Sequence, residues 1–126
     1  MFAEVFEAVA GVSIKSESCV LPGYERLKLT GQVYPGIRER KRTAVQGFIY
    51  KGLSQPQLHR LDQYEGDEYF RELVMVRNEH HRYYSAWVYV LQPKFNKLLT
   101  HESWDPVEFE RHYLNPYLAN LNKQNY

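Results

Sequence analysis

The residues best suited to acid–base chemistry are concentrated between Leu61 and Arg71. This segment contains four carboxylates, two tyrosines and one arginine. Gly66 is a typical helix stop, so Glu65 is expected in the last helical turn, with Asp62 one turn earlier on the same face. The negative end of the helix dipole and repulsion from Asp62 would both favour the protonated form of Glu65 and raise its pKa. A carboxyl group with a pKa near neutrality is suited to general acid–base catalysis.

A structural interpretation of the same segment is an exposed acidic turn whose charge Arg71 partly neutralises. The local residues leave the catalytic and the structural interpretations open. Elsewhere His80 and His81 are adjacent, but neighbouring residues in a hairpin rarely converge on one metal ion, so no metal site is predicted. The sequence has no H-E-x-x-H, C-x-x-C, P-loop, G-x-G-x-x-G or G-x-S-x-G motif, so it predicts no cofactor and no serine-hydrolase triad.

Length and composition place these residues in one globular domain. The chain has 126 residues, with 44% hydrophobic and 25% charged residues, which is typical of a single folded unit. Sixteen Lys and Arg against 15 Asp and Glu give a net charge of +1, which provides no general attraction to nucleic acid or to an acidic membrane. No apolar stretch reaches the roughly 18 residues that a membrane span needs.

The single cysteine and the first residues bear on the cellular setting. Cys19 has no partner for an intramolecular disulfide, and we expect it to pack in the interior rather than to react. The first seven residues lack the basic region and the long apolar segment of a signal peptide. A reducing, cytoplasmic setting is therefore expected.

Hydrophobic periodicity and turn residues predict the elements of the first half. Residues 3–10 form a helix that stops at Gly11, and residues 19–29 are extended with an interruption at Pro22-Gly23. Residues 34–37 are expected to form a loop around Pro35. Residues 38–42 are expected to be a solvated hairpin tip, followed by a strand over 44–50.

The second half has clearer boundary signals. Ser54 and Gln57 form a capping-box pattern at the start of a helix that should end at Gly66. Residues 69–76 and 85–91 are expected to be strands, and the second, apolar on both faces, is expected to be central. Asp105 and Pro106 predict a further helix start, and Pro116 should kink that helix or begin another. Strands that do not alternate regularly with helices indicate an α+β fold.

The order of several short motifs resembles the γ-glutamylcyclotransferase-like family, and within it the avirulence-induced-gene-2-like branch. The most specific one is Leu-Asp, an aromatic residue and Glu-Gly at 61–66, followed by Tyr69 and Arg71. The likeness is good over residues 19–91 and looser at both ends. The other segments that carry it are VLPGY (20–24), YPGI (34–37), VQGFIY (45–50), AWVYV (86–90) and WDP (104–106).

The resemblance implies a small mixed β-barrel flanked by helices, formed by one domain over residues 1–126, with a cavity for a γ-glutamyl group. In such enzymes the α-amine of the substrate attacks its own γ-carbonyl and releases 5-oxoproline, without a cofactor. The resemblance assigns the catalytic base to Glu65. Tyr34, Pro35 and Gly36 would form part of the cavity wall, and Tyr69 and Arg71 would steady Glu65 or the pocket.

The family pattern begins with a strand and a Tyr-Gly-Ser/Thr-Leu loop that holds the substrate, and this sequence has no counterpart of that loop. A non-catalytic module that binds a small molecule or acts as a scaffold is therefore the alternative to the enzyme. Without that strand, an open sheet edge would favour a homodimer. In the opposing interpretation, residues 115–126 cover the edge and the protein is monomeric.

Overall fold

Five strands and four α-helices make up the part of the chain that the computed structural model describes, residues 1–122. Two 3₁₀ turns, Gly66–Glu68 and Pro93–Leu98, connect them. This content confirms the α+β class. In chain order the elements are α1 (Ala3–Ala10), β1 (Ser16–Leu29), β2 (Pro35–Tyr50), α2 (Gln55–Glu65), β3 (Tyr69–Asn78), β4 (Tyr83–Leu91), β5 (Leu99–Ser103), α3 (Pro106–His112) and α4 (Leu114–Asn122).

The long strand β1 organises the sheet. It pairs with β2 along most of its length, with β3 near its beginning and with β5 near its end, always antiparallel. Strands β3 and β4 form a regular hairpin, and the pairing order is β2-β1-β3-β4. Strands β2 and β4 also touch each other, so the sheet curls into a partly closed barrel. Its interior is apolar and contains Leu21, Tyr24, Ile37, Val76 and Val90.

The helices form a second core on the outside of this sheet. Helix α1 packs against α2 and α4, and α3 packs against α4. The shared core contains Val5, Phe6, Val9, Ala10, Leu61, Phe109, Leu114 and Leu121. Helix α4 is thus a separate helix that begins next to Pro116, as one of the two alternatives predicted, and it packs on the helical layer. Residues 123–126 of the expected covering segment lie outside the described residues.

The loop predicted over residues 34–37 and the hairpin tip predicted over 38–42 were wrong for residues 35–42, which belong to a strand, although residues 39–42 are exposed as expected. Strand β2 begins at Pro35 and continues through the basic residues, so the turn of the hairpin lies between β1 and Pro35. Pro35 is tolerated because it is the first residue of the strand, where a missing N–H weakens the ladder least. Arg38 and Arg40 bond to Glu25 on β1, at 2.6 and 2.9 Å, which holds this basic segment against the sheet.

The central position expected for residues 85–91 was also wrong, because β4 is the last strand in the pairing order. Its inward face contributes Val90 to the barrel interior, whereas Trp87 is 55% exposed on the outward face, opposite Leu73 at 57%. On the same outward face, Tyr89 packs against the core of the helical layer. Within residues 1–122, no helix is long and apolar enough to cross a membrane.

Candidate active site

Helix α2 delivers Glu65 to the junction between the helical layer and the sheet. The predicted capping box is present: the Gln57 N–H donates to Ser54 Oγ, and the Ser54 N–H donates to Gln57 Oε1. Glu65 is the last residue of the helix. Gly66 then has φ 73° and ψ −165°, and its N–H donates to the carbonyl oxygen of Asp62.

The backbone angles of Gly66 belong to a region that only glycine occupies readily. We expect Gly66→Ala to lower the free energy of unfolding by about 1–3 kcal/mol, because a side chain strains this backbone. Urea denaturation measures the change. Gly47→Ala is the matched control, since an added Cβ at Gly47 meets nothing within 4 Å and no positive φ is required there. Equal effects of the two substitutions would contradict the role assigned to Gly66.

The carboxyl group of Glu65 lies in a poorly solvated environment. Burial raises its pKa to about 7, and the positive charge of the Met1 α-amino group opposes part of that rise. The direction agrees with the sequence prediction, but the dominant cause is burial. Repulsion from Asp62 is not among the causes, because Asp62 is engaged elsewhere.

Asp62 is held by two groups on the hairpin. Its Oδ1 lies 2.8 Å from Arg71 Nε and accepts a hydrogen bond of 2.6 Å from the hydroxyl of Tyr89. The Arg71 guanidinium also lies over the ring of Trp87, 5.0 Å from its centroid. Arg71 therefore pairs with Asp62. The resemblance implied that Arg71 would steady Glu65 or the pocket, and that role stays a prediction. Sequence analysis missed Tyr89, although Arg71 and Tyr89 are directly paired in the register of β3 and β4.

The fold brings the predicted Tyr34–Gly36 segment next to Tyr69. The Tyr69 hydroxyl donates to the carbonyl oxygen of Pro35 at 2.8 Å, and the rings of Tyr34 and Tyr69 are 6.4 Å apart. Burial raises the pKa of both phenols, and the negative charge of Glu65 raises both further. The charge of Glu65 therefore acts on both phenol groups.

Gly36, unlike Tyr34 and Pro35, packs closely against leucine side chains. A Cβ at this position would approach Leu29 and Leu99 to 3.1 and 3.2 Å. Gly36 therefore permits close packing beneath the site, where a larger residue would push these leucines apart.

A cavity of about 370 Å³ opens beside these residues, and Glu65 directly precedes one member of its wall, Gly66. The other lining residues are Asp62, Tyr69, Phe70, Arg71 and Tyr89. A smaller cavity of about 90 Å³ lies between β1 and α3 next to Trp104, and its lining does not include Glu65. Among residues 1–122, no three His, Cys, Asp or Glu side chains come together as a metal site would require.

Comparison with known proteins gives the family context of this site. A family model described as gamma-glutamyl cyclotransferase, AIG2-like, matches residues 1–106. AIG2-like protein A of Arabidopsis thaliana is 37% identical over 62 residues, which are 49% of this chain and 38% of that protein. AIG2-like protein C of the same organism is 41% identical over 59 residues, 47% of this chain and 34% of that protein. The matched segments thus span little more than a third of these relatives.

Two solved structures share the fold. The solution structure of At5g39720.1 from Arabidopsis thaliana has a TM-score of 0.72 at 25% identity, covering 97% of this chain and 82% of that one. The solution structure of At3g28950.1 from the same organism has a TM-score of 0.69 at 24% identity, covering 98% and 74%. The fold agrees with the resemblance drawn from the ordered motifs, and the family model covers most of the chain. The chain belongs to the gamma-glutamyl cyclotransferase, AIG2-like, family.

Proposed function

We propose that this protein is a γ-glutamylcyclotransferase that releases 5-oxoproline from a γ-glutamyl amine or dipeptide. The observation that carries the proposal is the position of Glu65, half-buried at the end of α2 between the helical layer and the sheet. Desolvation raises its pKa to about 7 there, which suits the carboxyl group to accept and return a proton near neutral pH. Family membership supports the reaction class. A γ-glutamyl compound is accordingly the proposed small-molecule partner.

The reaction is an intramolecular aminolysis. Glu65 takes a proton from the α-ammonium group of the substrate, and the freed nitrogen attacks the γ-carbonyl carbon. A five-membered lactam ring forms as the attacking nitrogen loses its second proton to water. The bond from the γ-carbon to the leaving nitrogen breaks, and Glu65 returns its proton to that nitrogen, which departs as an amine. The nucleophile is tethered to the carbonyl that it attacks, so much of the entropic cost of bringing reactants together is already met.

A tyrosine of the site suits the developing oxyanion. Burial raises the pKa of Tyr34 and of Tyr69, which keeps both phenols protonated. The Tyr69 hydroxyl donates its one proton to Pro35, so Tyr34 is the proposed donor to the oxyanion. Donors that are already positioned where negative charge develops stabilise such a transition state. Tyr69 is fixed by its bond to Pro35, and Asp62 with Arg71 and Tyr89 supports the wall of the cavity.

Incubation with a panel of γ-glutamyl amines and dipeptides, followed by chromatography for 5-oxoproline, tests the proposal. We expect release of 5-oxoproline from at least one member, without added metal or cofactor, because the reaction uses only the substrate amine and a carboxyl base. Saturable binding of a panel member without any 5-oxoproline would contradict the enzyme and favour the non-catalytic binding module.

A further inference from the structure

The outward face of the β3–β4 hairpin carries a row of large, exposed apolar side chains. They are Leu73 and Met75 on β3 and Tyr83 and Trp87 on β4, and each is 50–57% exposed. The register places Leu73 opposite Trp87 and Met75 opposite Ser85, and side chains two residues apart on a strand share a face. The four side chains therefore form one continuous surface, which we call the hairpin face.

The hairpin face is large enough for a protein interface. Aromatic side chains bury about 150–250 Å² each when fully covered, so four large side chains that are each about half exposed present on the order of 400 Å² of apolar surface. Monomeric proteins rarely expose contiguous apolar patches of more than a few hundred Å². A standard interface buries about 800 Å² per partner, of which a little over half is apolar, so the face and a polar rim supply the area that a stable dimer needs.

The charges at the two ends of the hairpin face are complementary. The net charge of the chain is +1, so two copies repel each other little. Arg77 lies at the end next to the turn and has no ion pair to a carboxylate within residues 1–122. At the other end, Asp62 contacts Arg71 and Tyr89 through Oδ1, and neither contact uses Oδ2. One chain thus offers a cation and a carboxylate oxygen at opposite ends of the same face.

We propose that this protein forms a homodimer in which the hairpin faces of two copies pack together. The two-fold axis runs across the strands at the level of Val74 and Ala86, which are directly paired halfway between the two ends of the face. Such an axis reverses the strands of the second copy, so positions that are equally distant from this level come together. The proposed surface is a sheet face rather than the open sheet edge from which a homodimer was expected.

This axis places bulky side chains against small or adaptable ones. Trp87 lies on Ser85 of the second copy, and Leu73 lies on Met75 of the second copy. Each contact occurs twice because of the symmetry. A large side chain over a small one, together with the flexible side chain of methionine, fills the interface without voids.

The second copy also reaches the cavity. Arg71 and Tyr89 line the cavity and lie at the end of the hairpin face away from the turn. The same axis brings Arg77 and Tyr83 of the second copy over this end. Asp62 also lines the cavity, and its Oδ2 is placed to receive Arg77 of the second copy. Each copy therefore adds side chains to the cavity wall of the other.

Sedimentation equilibrium of the full chain from about 1 µM to about 1 mM tests the dimer. The mass of the wild-type protein should rise with concentration to twice the chain mass of 15.0 kDa. Leu73→Glu should raise the dimer dissociation constant by at least about 100-fold, because it buries two unpaired charges in the interface. Circular dichroism should show an unchanged fold in this variant, since the side chain faces outward.

Val107→Glu is the matched control. Val107 on α3 is as exposed as Leu73, at 57%, but lies outside the hairpin face. The substitution adds the same charge to the chain and should leave the dissociation constant within about threefold of the wild-type value.

A pair of complementary variants tests the arrangement of the two copies. Leu73→Lys and Met75→Glu should each be monomeric at concentrations where the wild type is dimeric, because each homodimer would bury two unpaired charges. An equimolar mixture of the two variants should recover a dimer with one chain of each. In this dimer the new lysine meets the new glutamate, and the symmetric contact keeps its native leucine and methionine.

A monomeric mass of the wild type across the whole series overturns the inference and leaves the hairpin face to a different protein partner. The inference is also overturned by a Leu73→Glu variant that dimerises like the wild type, or by a variant mixture that stays monomeric. None of these results bears on the release of 5-oxoproline, so the inference and the proposed function fail independently.

Discussion

Glu65→Gln should lower kcat/KM for 5-oxoproline release by about 100- to 10,000-fold, the range expected for loss of a general acid–base group. Glutamine keeps the shape of the side chain but cannot accept and return the proton. In the wild-type protein, kcat/KM should rise as the pH increases through about 7, because the carboxyl group of Glu65 must be ionised to take the ammonium proton. Initial rates across pH 5–9 (about two pH units on either side of that pKa) measure both effects.

Asp67→Asn provides the control for this loss. Asp67 is exposed in the 3₁₀ turn, two residues after Glu65, and its substitution removes the same negative charge. It should retain wild-type rates within about twofold, since exposed side chains away from the reacting atoms contribute little. Persistent 5-oxoproline formation by Glu65→Gln, with a rise near the same pH, would assign the base to another residue.

The elements next to Glu65 could be predicted because their signals are local. The capping box of Ser54 and Gln57 and the stop at Gly66 fix the two ends of α2 within a few residues of sequence. Asp105 likewise caps α3 through the N–H of Val107, as predicted. A residue at the end of a helix bounded in this way has little freedom of position, so the placement of Glu65 followed from the sequence.

The electrostatic partners in the site could be predicted only in part. Arg71 was expected to neutralise some of the acidic segment, and it pairs with Asp62. The second partner of Asp62, Tyr89, could not be identified, because only the β3–β4 register places it opposite Arg71. With Asp62 engaged by this pair, the pKa of Glu65 depends chiefly on burial. A charge pattern read along one helix gives the direction of such a shift but not its cause.

Burial of Glu65 should also make the stability of the protein depend on pH in a way that Glu65→Gln removes. The folded protein holds this proton up to a pH of about 7, whereas the unfolded chain releases it near the ordinary pKa of 4.5. Between these values the folded state binds more protons, so rising pH reduces the free energy of unfolding. At 1.36 kcal/mol per pKa unit, the cost of ionising Glu65 reaches at most about 3 kcal/mol above pH 7.

Urea denaturation of both proteins from pH 4.5 (the ordinary pKa of the carboxyl) to about 8 measures this cost, and the difference between them isolates Glu65 from all other titrating groups. As the pH rises across this interval, the free energy of unfolding of Glu65→Gln relative to that of the wild type should increase by up to about 3 kcal/mol. Asp67→Asn controls for the change in net charge. A difference between Glu65→Gln and wild type that stays constant with pH would mean that the carboxyl group is solvated in the folded protein. Because the same desolvation raises the pKa toward neutrality, that outcome would also remove the physical basis for Glu65 as the base.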